Sequence, residues 1–308
     1  MKNKLTVIVP LKDRPEYTPL WIENNYNEDY EYIIADGSHS DKNEKIFQNF
    51  KKKNIQYLRF KPDYSYKDYY NKMYECSLLI KTKYVMQSDN DDFLNFQGIN
   101  KIIYMLNKNN NNIGVGHTSH ILKKKGLFRH INFEKKIDYC LNYPKLEIYE
   151  NFFDNYVPLF YSIYSTKIFI KIYYNIVKSD IYFLSNFEYL FTLLAIKFGR
   201  IMKVNTNHYI RLINTSDSSN LKYKKIKIIE KDYKTDFYKM KNILFDGNID
   251  MPKNFINQIS INIFNRDKRI KKKSFFFTFI LLCLKKIFHP YLNLKIMRYY
   301  LYFYSKLF

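Results

Sequence analysis

Between Tyr84 and Phe93 the chain reads YVMQSDNDDF, three aspartates and an asparagine directly after a short apolar run. An Asp-x-Asp pair at the end of a strand sets two carboxylates on one side of a tight turn. Asp89 and Asp91, with Asp92 beside them, are then near enough to share a Mg²⁺ or Mn²⁺ ion whose remaining positions go to phosphate oxygens. The other reading is an acid-rich polar turn. Phe93-Leu94 favours the metal site, because a solvated loop rarely lies between two buried segments. Two more acids invite a chemical reading. Asp36, in IIADGSHSD, is placed to accept hydrogen bonds from a base or ribose, or else belongs to an Asp-Gly turn that needs both residues for backbone reasons alone. Glu188 is either a first-turn acid favoured by the helix dipole or a general base facing an acceptor hydroxyl.

The elements that position these residues are legible in outline. Leu5–Val9 is a continuous apolar, β-branched run ending at Pro10, the pattern of a buried parallel strand. A helix follows over 15–27, opened by Pro15. Strands are expected at Tyr30–Ala35, Ile55–Phe60 and Tyr84–Gln87, with helices over 41–53 and Tyr66–Ile80 between them. Strands alternating with helices imply a parallel α/β sheet, whose ligands bind outside the carboxyl ends of the strands. The polar clusters at 12–14, 36–41 and 89–92 therefore converge on one face. Further on, a helix is expected over Gln97–Leu106 and a strand over Ile113–Ile121. Residues 145–165 are aromatic and mixed, and suit the acceptor side. A helix over 185–199 ends at Gly199, a strand covers 200–213, and NTSDSSN is a loop.

In this order the motifs resemble the GT-A-type glycosyltransferases, close to family 2. TVIVPLKDRPEY is similar to that family's first-strand signature, IIADGSHSD to its D-G-S-x-x-D turn, and QSDNDDF to its D-x-D-D motif. FEYLFTLLAIKFGRIMKVNTNHYIRL is similar to its E-D…L…G…Y-x-R segment, and NYVPLFYSIYST resembles a bacterial subgroup with a D-x-D-D-F motif. The resemblance spans roughly residues 4–215. It implies a nucleotide-sugar donor, a Mg²⁺ or Mn²⁺ cofactor and direct, inverting displacement. By position, Asp36 falls on the base contact and Pro10 begins the loop lining that pocket. Asp89 falls beside the ribose and diphosphate, Asp91 on the metal ligand with Asp89 sharing it, and Asp92 in support. Glu188 falls on the catalytic Asp, eleven residues before Gly199, and Arg211 on the Y-x-R cation that steadies the diphosphate. The chain departs from the pattern at Ala35, where an Asp is usual, at Phe187, and in using Glu as the base. It has no Q-x-x-R-W-like motif, which argues against a processive polysaccharide synthase.

The 308 residues suffice for a GT-A-like, mostly parallel sheet flanked by helices over 1–215, with a helical basic extension over 216–308. The formal net charge is +22, and residues 221–308 hold 20 Lys and Arg against 6 Asp and Glu. Within that extension, 266–308 alternates basic and aromatic blocks: RDKRIKKK, SFFFTFILLCL, KKIF and YLNLKIMRYYLYFYSKLF. This suits a segment lying at an anionic bilayer surface, and the bland alternative is a helix hairpin packed on the catalytic domain. Basic-aromatic interleaving also serves RNA binding, but no RNA-binding motif accompanies it, so no nucleic-acid partner is expected. No apolar run reaches the ~18–20 residues of a membrane span. Cys76, Cys140 and Cys283 show no metal spacing and fit reduced thiols, and the first residues lack a secretory apolar region. His117 and His120 are three apart with His130 nearby, but on a strand that spacing points the first two to opposite faces, which favours a core or surface role over a zinc site. The chain is thus expected at the inner face of the cytoplasmic membrane, extending a surface glycan such as lipopolysaccharide or capsule, its acceptor a glycan or lipid-linked glycan. Two rivals come from other classes. A nucleotidyltransferase usually carries a Gly-rich first loop, which PLKDRPEY lacks. A non-catalytic membrane-associated protein with a degenerate fold would bind no nucleotide.

Overall fold

Strand β1 (Leu5–Leu11) is buried on both faces, with Leu5, Val7, Ile8 and Val9 wholly shielded. A strand so apolar has to lie inside a covered sheet. It pairs in parallel with β2 (Glu31–Asp36) on one side and β4 (Tyr84–Gln87) on the other, and β3 (Ile55–Arg59) extends the sheet beyond β2. Helices α1 (Thr18–Asn25), α2 (Lys42–Asn49) and α3 (Tyr66–Leu78) make the crossovers. The computed structural model describes residues 4–124, 127–131, 158–181, 184–213 and 230–245. The expectations for residues 145–157 of the stretch 145–165, for NTSDSSN and for the segment 266–308 fall outside the described residues.

Because the four strands run the same way, their carboxyl ends meet at one edge. The register sets Leu11 opposite Asp36, and Asp36 opposite Arg59. The other half of the sheet is mixed. The chain continues through β5 (Phe93–Leu94), α4 (Phe96–Lys108), β6 (Ile113–Lys124), β7 (Leu127–Ile131), β8 (Ile163–Ser165), α5 (Thr166–Ser179), α6 (Leu184–Phe198), β9 (Ile201–Ile213) and α7 (Glu230–Phe245). The order across the sheet is β3-β2-β1-β4-β8-β6-β9-β5, with β7 on the side of β6. β6 and β9 are parallel, whereas β8, β5 and β7 each run antiparallel to their neighbours. The expectation of a mostly parallel sheet therefore holds for β1 to β4 and for the β6–β9 pair only. The departure has a use at β5, which lies directly after the acidic turn. Its pairing of Phe93 with Ile210 and Leu94 with Tyr209 brings the end of β9 beside that turn.

Helix α1 begins at Thr18, with Pro19 in its first turn, and not at Pro15. The residues before it form a turn in which Asp13 and Arg14 take left-handed φ values of 58° and 57°. Ser65 and Asp68 close a capping box at the start of α3. Asn95 caps α4 by accepting from the Gly98 N–H. At Gly98 the helix approaches β9 so closely that a Cβ would stand 1.9 Å from the Asn207 carbonyl oxygen. Helix α5 has no counterpart in the sequence reading. Phe169, Ile172, Tyr173 and Ile176 form its buried stripe, and Asp180 ends it in a left-handed conformation. Helix α7 contributes Met240 and Leu244 to the core, and Lys197 of α6 donates to its Ile243 carbonyl at 2.9 Å.

Candidate metal and nucleotide site at the strand ends

The acidic turn follows β4 and is fastened from several sides. The Ser88 N–H donates to the Ile8 carbonyl at 2.9 Å, and Trp21 Nε1 donates to Ser88 Oγ at 3.2 Å. Asn25 of α1 grips the far end, donating to the Asp92 carbonyl at 2.8 Å and accepting from the Leu94 N–H at 2.7 Å. Held this way, Asp89, Asp91 and Asp92 each present a carboxylate oxygen, and these oxygens lie within 4.8 Å of one another.

The three carboxylates have different partners. Asp92 is buried and engaged at both oxygens, by the Tyr209 hydroxyl at 2.8 Å and the Leu212 N–H at 2.8 Å. Tyr209 also accepts from the Asp89 N–H at 3.1 Å, so one phenol ties both ends of the turn to β9. Asp89 accepts from the Tyr161 hydroxyl at 2.6 Å. The Tyr161 ring stacks on Tyr209 with centroids 4.3 Å apart, and the Arg211 guanidinium lies 5.1 Å from the Tyr161 centroid. Arg211 Nε also stands 4.0 Å from Asp92. Asp91 receives Arg14 Nη2 at 2.6 Å, from the loop after β1.

Gathering so much negative charge in a shielded place is costly. Burial, then the neighbouring Asp91, pushes the Asp89 carboxyl up, while Tyr161 and the two arginines oppose the shift. Burial pushes Asp92 well up as well, with Asp89 and Asp91 adding to it. A divalent cation reverses that logic, since it favours every carboxylate it touches. The donors are hard oxygens, the kind Mg²⁺ and Mn²⁺ prefer. The residues therefore fit such an ion, with Asp89 and Asp91 offering oxygens and Asp92 committed to holding the turn.

The second strand end lies alongside. Asp36 is wholly buried, and its carboxylate accepts from the Ser38 N–H at 2.8 Å, from Arg59 Nη1 at 2.8 Å and from the Tyr57 hydroxyl. Pro10, opposite Ala35 in the register, is half-buried in β1. The loop after β1 bridges the two turns. The Asp13 N–H donates to Ser38 Oγ at 2.8 Å, the Asp13 carboxylate accepts from the His39 N–H at 3.0 Å, and Asn43 donates to the Asp13 carbonyl at 3.1 Å. On the other side, Asn90 donates to the Arg14 carbonyl at 3.3 Å.

Glu188 stands half-buried on α6, and its carbonyl accepts from Thr192 Oγ1 at 3.0 Å. Its carboxylate bears on the Tyr70 phenol of α3, which burial, then Tyr66, Asp236, Tyr173 and Glu188, push up. Phe187, the neighbour of Glu188, stacks on Tyr70 with centroids 4.6 Å apart. The structure thus gathers Asp89, Asp91, Asp92 and Arg211 into one cluster, sets Asp36 and Pro10 at the adjoining strand ends, and puts Glu188 on the helix that carries the aromatic layer. Arg14, Tyr161, Arg59 and Tyr57 were not singled out in the sequence. Arg14 and Tyr161 do lie inside the quoted stretches PLKDRPEY and NYVPLFYSIYST. Asn90, which has no evident chemistry as a residue type, is a second tether, beside the Arg14–Asp91 pair, between the acidic turn and the loop after β1.

No family model matches the chain, and no curated protein matches it. Solved structures do. S. aureus TarS 1–349 in complex with UDP-GlcNAc superposes with a TM-score of 0.57 at 16% identity, covering 86% of this chain and 72% of that one. The same fragment alone gives a TM-score of 0.53 at 15% identity, over 86% and 71% of the two chains. Against the longer TarS chain the TM-score is 0.51 at 15% identity, and this chain covers 43% of that length. At such identity the likeness establishes the fold alone: this chain has a GT-A-like α/β fold, similar to that of TarS, and its acidic turn lies at the strand ends.

Proposed function

We propose that the chain is a metal-dependent, inverting glycosyltransferase that moves a sugar from a UDP-sugar to a hydroxyl of a cell-surface glycan. One observation carries this reading. In a GT-A fold, the end of β4 holds three carboxylates whose oxygens lie within 4.8 Å of one another. The similar structure holding UDP-GlcNAc supports a uridine diphosphate donor over other nucleotides.

In this mechanism Asp91 and Asp89 would hold the ion, and Asp92 fixes the turn through Tyr209 and Leu212. The ion, when bound, neutralises the diphosphate as a leaving group. Arg211, stacked over Tyr161, adds a fixed positive charge for the same oxygens. Asp36 and Pro10 line the base pocket. Glu188 acts as general base, accepting the proton of the acceptor hydroxyl as its oxygen attacks the anomeric carbon. The acceptor is a glycan or lipid-linked glycan, and the basic segment 266–308 keeps the enzyme at the membrane surface where such acceptors lie.

Calorimetric titration of the full chain with UDP, with and without Mn²⁺, followed by UDP release from UDP-GlcNAc, tests the assignment. Asp91→Asn is expected to abolish the Mn²⁺-dependent part of UDP binding. Glu188→Gln is expected to keep that binding and to lose about 10²–10⁴ of the transfer rate, the range for a positioned acid-base group. Unchanged Mn²⁺-dependent binding in Asp91→Asn would remove the metal assignment, and full activity in Glu188→Gln would remove the base.

A further inference from the structure

Arg14 occupies one oxygen of Asp91, the carboxylate assigned to the metal. Its Nη2 lies 2.6 Å from Asp91 Oδ2, and the two side chains are only 18% and 9% exposed. The guanidinium is also clamped over the Tyr17 ring, 4.5 Å from its centroid. The backbone that delivers it is not relaxed. Asp13 and Arg14 are consecutive non-glycine residues with φ of 58° and 57°, a region L-residues avoid unless their surroundings enforce it. What enforces it is on both sides: Ser38, His39 and Asn43 hold Asp13, while Asn90 and Asp91 hold Arg14.

From this geometry we infer that Arg14 is a resident counter-ion of Asp91 that a divalent cation must displace, which makes Arg14 a positioning residue for the metal. The inference rests on the metal-site reading above and adds to it a competitor built into the chain. A guanidinium and a divalent ion do not share one carboxylate oxygen at these distances, and each repels the other. Displacement frees a positive side chain beside the place where a diphosphate is expected. It also releases one anchor of the strained loop, which Ser38, His39, Asn43 and Asn90 continue to hold. Cation binding at one strand end is thereby felt at the next.

The test needs no nucleotide and no turnover. Free Mn²⁺ is followed by its electron paramagnetic resonance signal as the full chain is titrated, for the wild type, Arg14→Gln, Arg14→Lys and Asp91→Asn/Arg14→Gln. Arg14→Gln is expected to bind Mn²⁺ about tenfold more tightly than the wild type, the direction expected when one nearby positive charge is removed. Arg14→Lys should keep most of the wild-type weakness, and the double variant should lose the gain. Arg14→Gly is a second route, since glycine accepts the left-handed φ and cannot fail for that reason. Equal or weaker Mn²⁺ binding in both Arg14→Gln and Arg14→Gly overturns the inference. Absence of Mn²⁺ binding in every protein also overturns it, together with the metal assignment. UDP binding by the same samples then decides separately whether the donor reading survives.

Discussion

His208, on β9, has its charge state set by what its ring faces. It is 1% exposed, with Nδ1 3.1 Å from the His117 carbonyl and Nε2 3.0 Å from the Tyr161 carbonyl. Both partners are acceptors, and a neutral ring donates from one nitrogen only. Burial nevertheless dominates. It holds the pKa down to about 4, with the two carbonyls pulling up and His117 pushing down. The folded-state value is thus below the ordinary one of about 6.5, so the native ring is neutral where the unfolded ring takes a proton. Its contribution to stability is complete above about pH 6.5 and is lost as the pH falls through that window toward 4. The loss amounts to at most about 3 kcal/mol. Asp89, Asp92 and Asp63 are shifted upward and act in the opposite sense, so the comparison has to be with a variant. Urea unfolding at pH 7 and pH 4.5 should show the stability gap between wild type and His208→Gln shrinking at the lower pH. A gap independent of pH contradicts a neutral buried ring. The matter reaches the site, because the Tyr161 carbonyl that His208 holds belongs to the residue whose phenol holds Asp89.

At the scale of elements, a buried ion pair joins α3 to two strand ends. Lys72 Nζ donates to the Leu11 carbonyl at 3.1 Å and to Asp63, and the two side chains are 2% and 3% exposed. The Asp63 N–H donates to the Gly37 carbonyl at 2.9 Å, and a Cβ on Gly37 would lie 2.3 Å from Asp63 Oδ1. Gly37 is therefore fixed by the carboxylate packed on it, a reason the Asp-Gly-Ser turn does not disclose on its own. Burial pushes the Lys72 amine down and the Asp63 carboxyl up, and each partner pulls the other back toward charge. Lys72→Met strands Asp63 without its counter-ion and should cost about 3–5 kcal/mol in chemical denaturation, while Lys72→Met combined with Asp63→Asn should recover part of it. A loss under about 1 kcal/mol would mean that the pair is dispensable. The sequence did not suggest this pair, because a lysine in a helix reads as exposed. β1, β2 and β4 were legible because buried strands are written as short apolar runs, and Tyr84–Gln87 begins and ends where expected, whereas β3, IQYLR at the sheet edge and partly exposed, was legible from its place in the strand–helix alternation. Helix α5 was not legible, since TKIFIKIYYNIVKS is rich in β-branched residues and interrupted by lysines. The acidic turn was readable because its carboxylates are adjacent in sequence. Arg14, Tyr161 and Tyr209 reach it from 77, 72 and 117 residues away, separations that only the strand order closes.

For the molecule as a whole, charge is divided by location. The acidic cluster is compact and inward, while the net charge is +22 and the last 88 residues carry 20 of the 51 Lys and Arg. Among the described residues no helix is long and apolar enough to cross a membrane. The proposed association with a membrane surface rests on a feature of the sequence, the basic-aromatic alternation over 266–308. Each basic residue near an anionic bilayer is worth about 1 kcal/mol, and that attraction fades beyond a Debye length. Co-sedimentation with vesicles separates this from packing against the catalytic domain. The full chain should bind vesicles containing phosphatidylglycerol, bind phosphatidylcholine vesicles weakly, and be released as salt rises. Replacing Lys271, Lys272 and Lys273 with Gln should weaken binding roughly 100-fold, the equivalent of about 3 kcal/mol, and leave Mn²⁺-dependent UDP binding unchanged. Equal binding to charged and neutral vesicles, or no effect of the triple change, would assign those lysines to another purpose and leave the acceptor to be brought to the enzyme in solution.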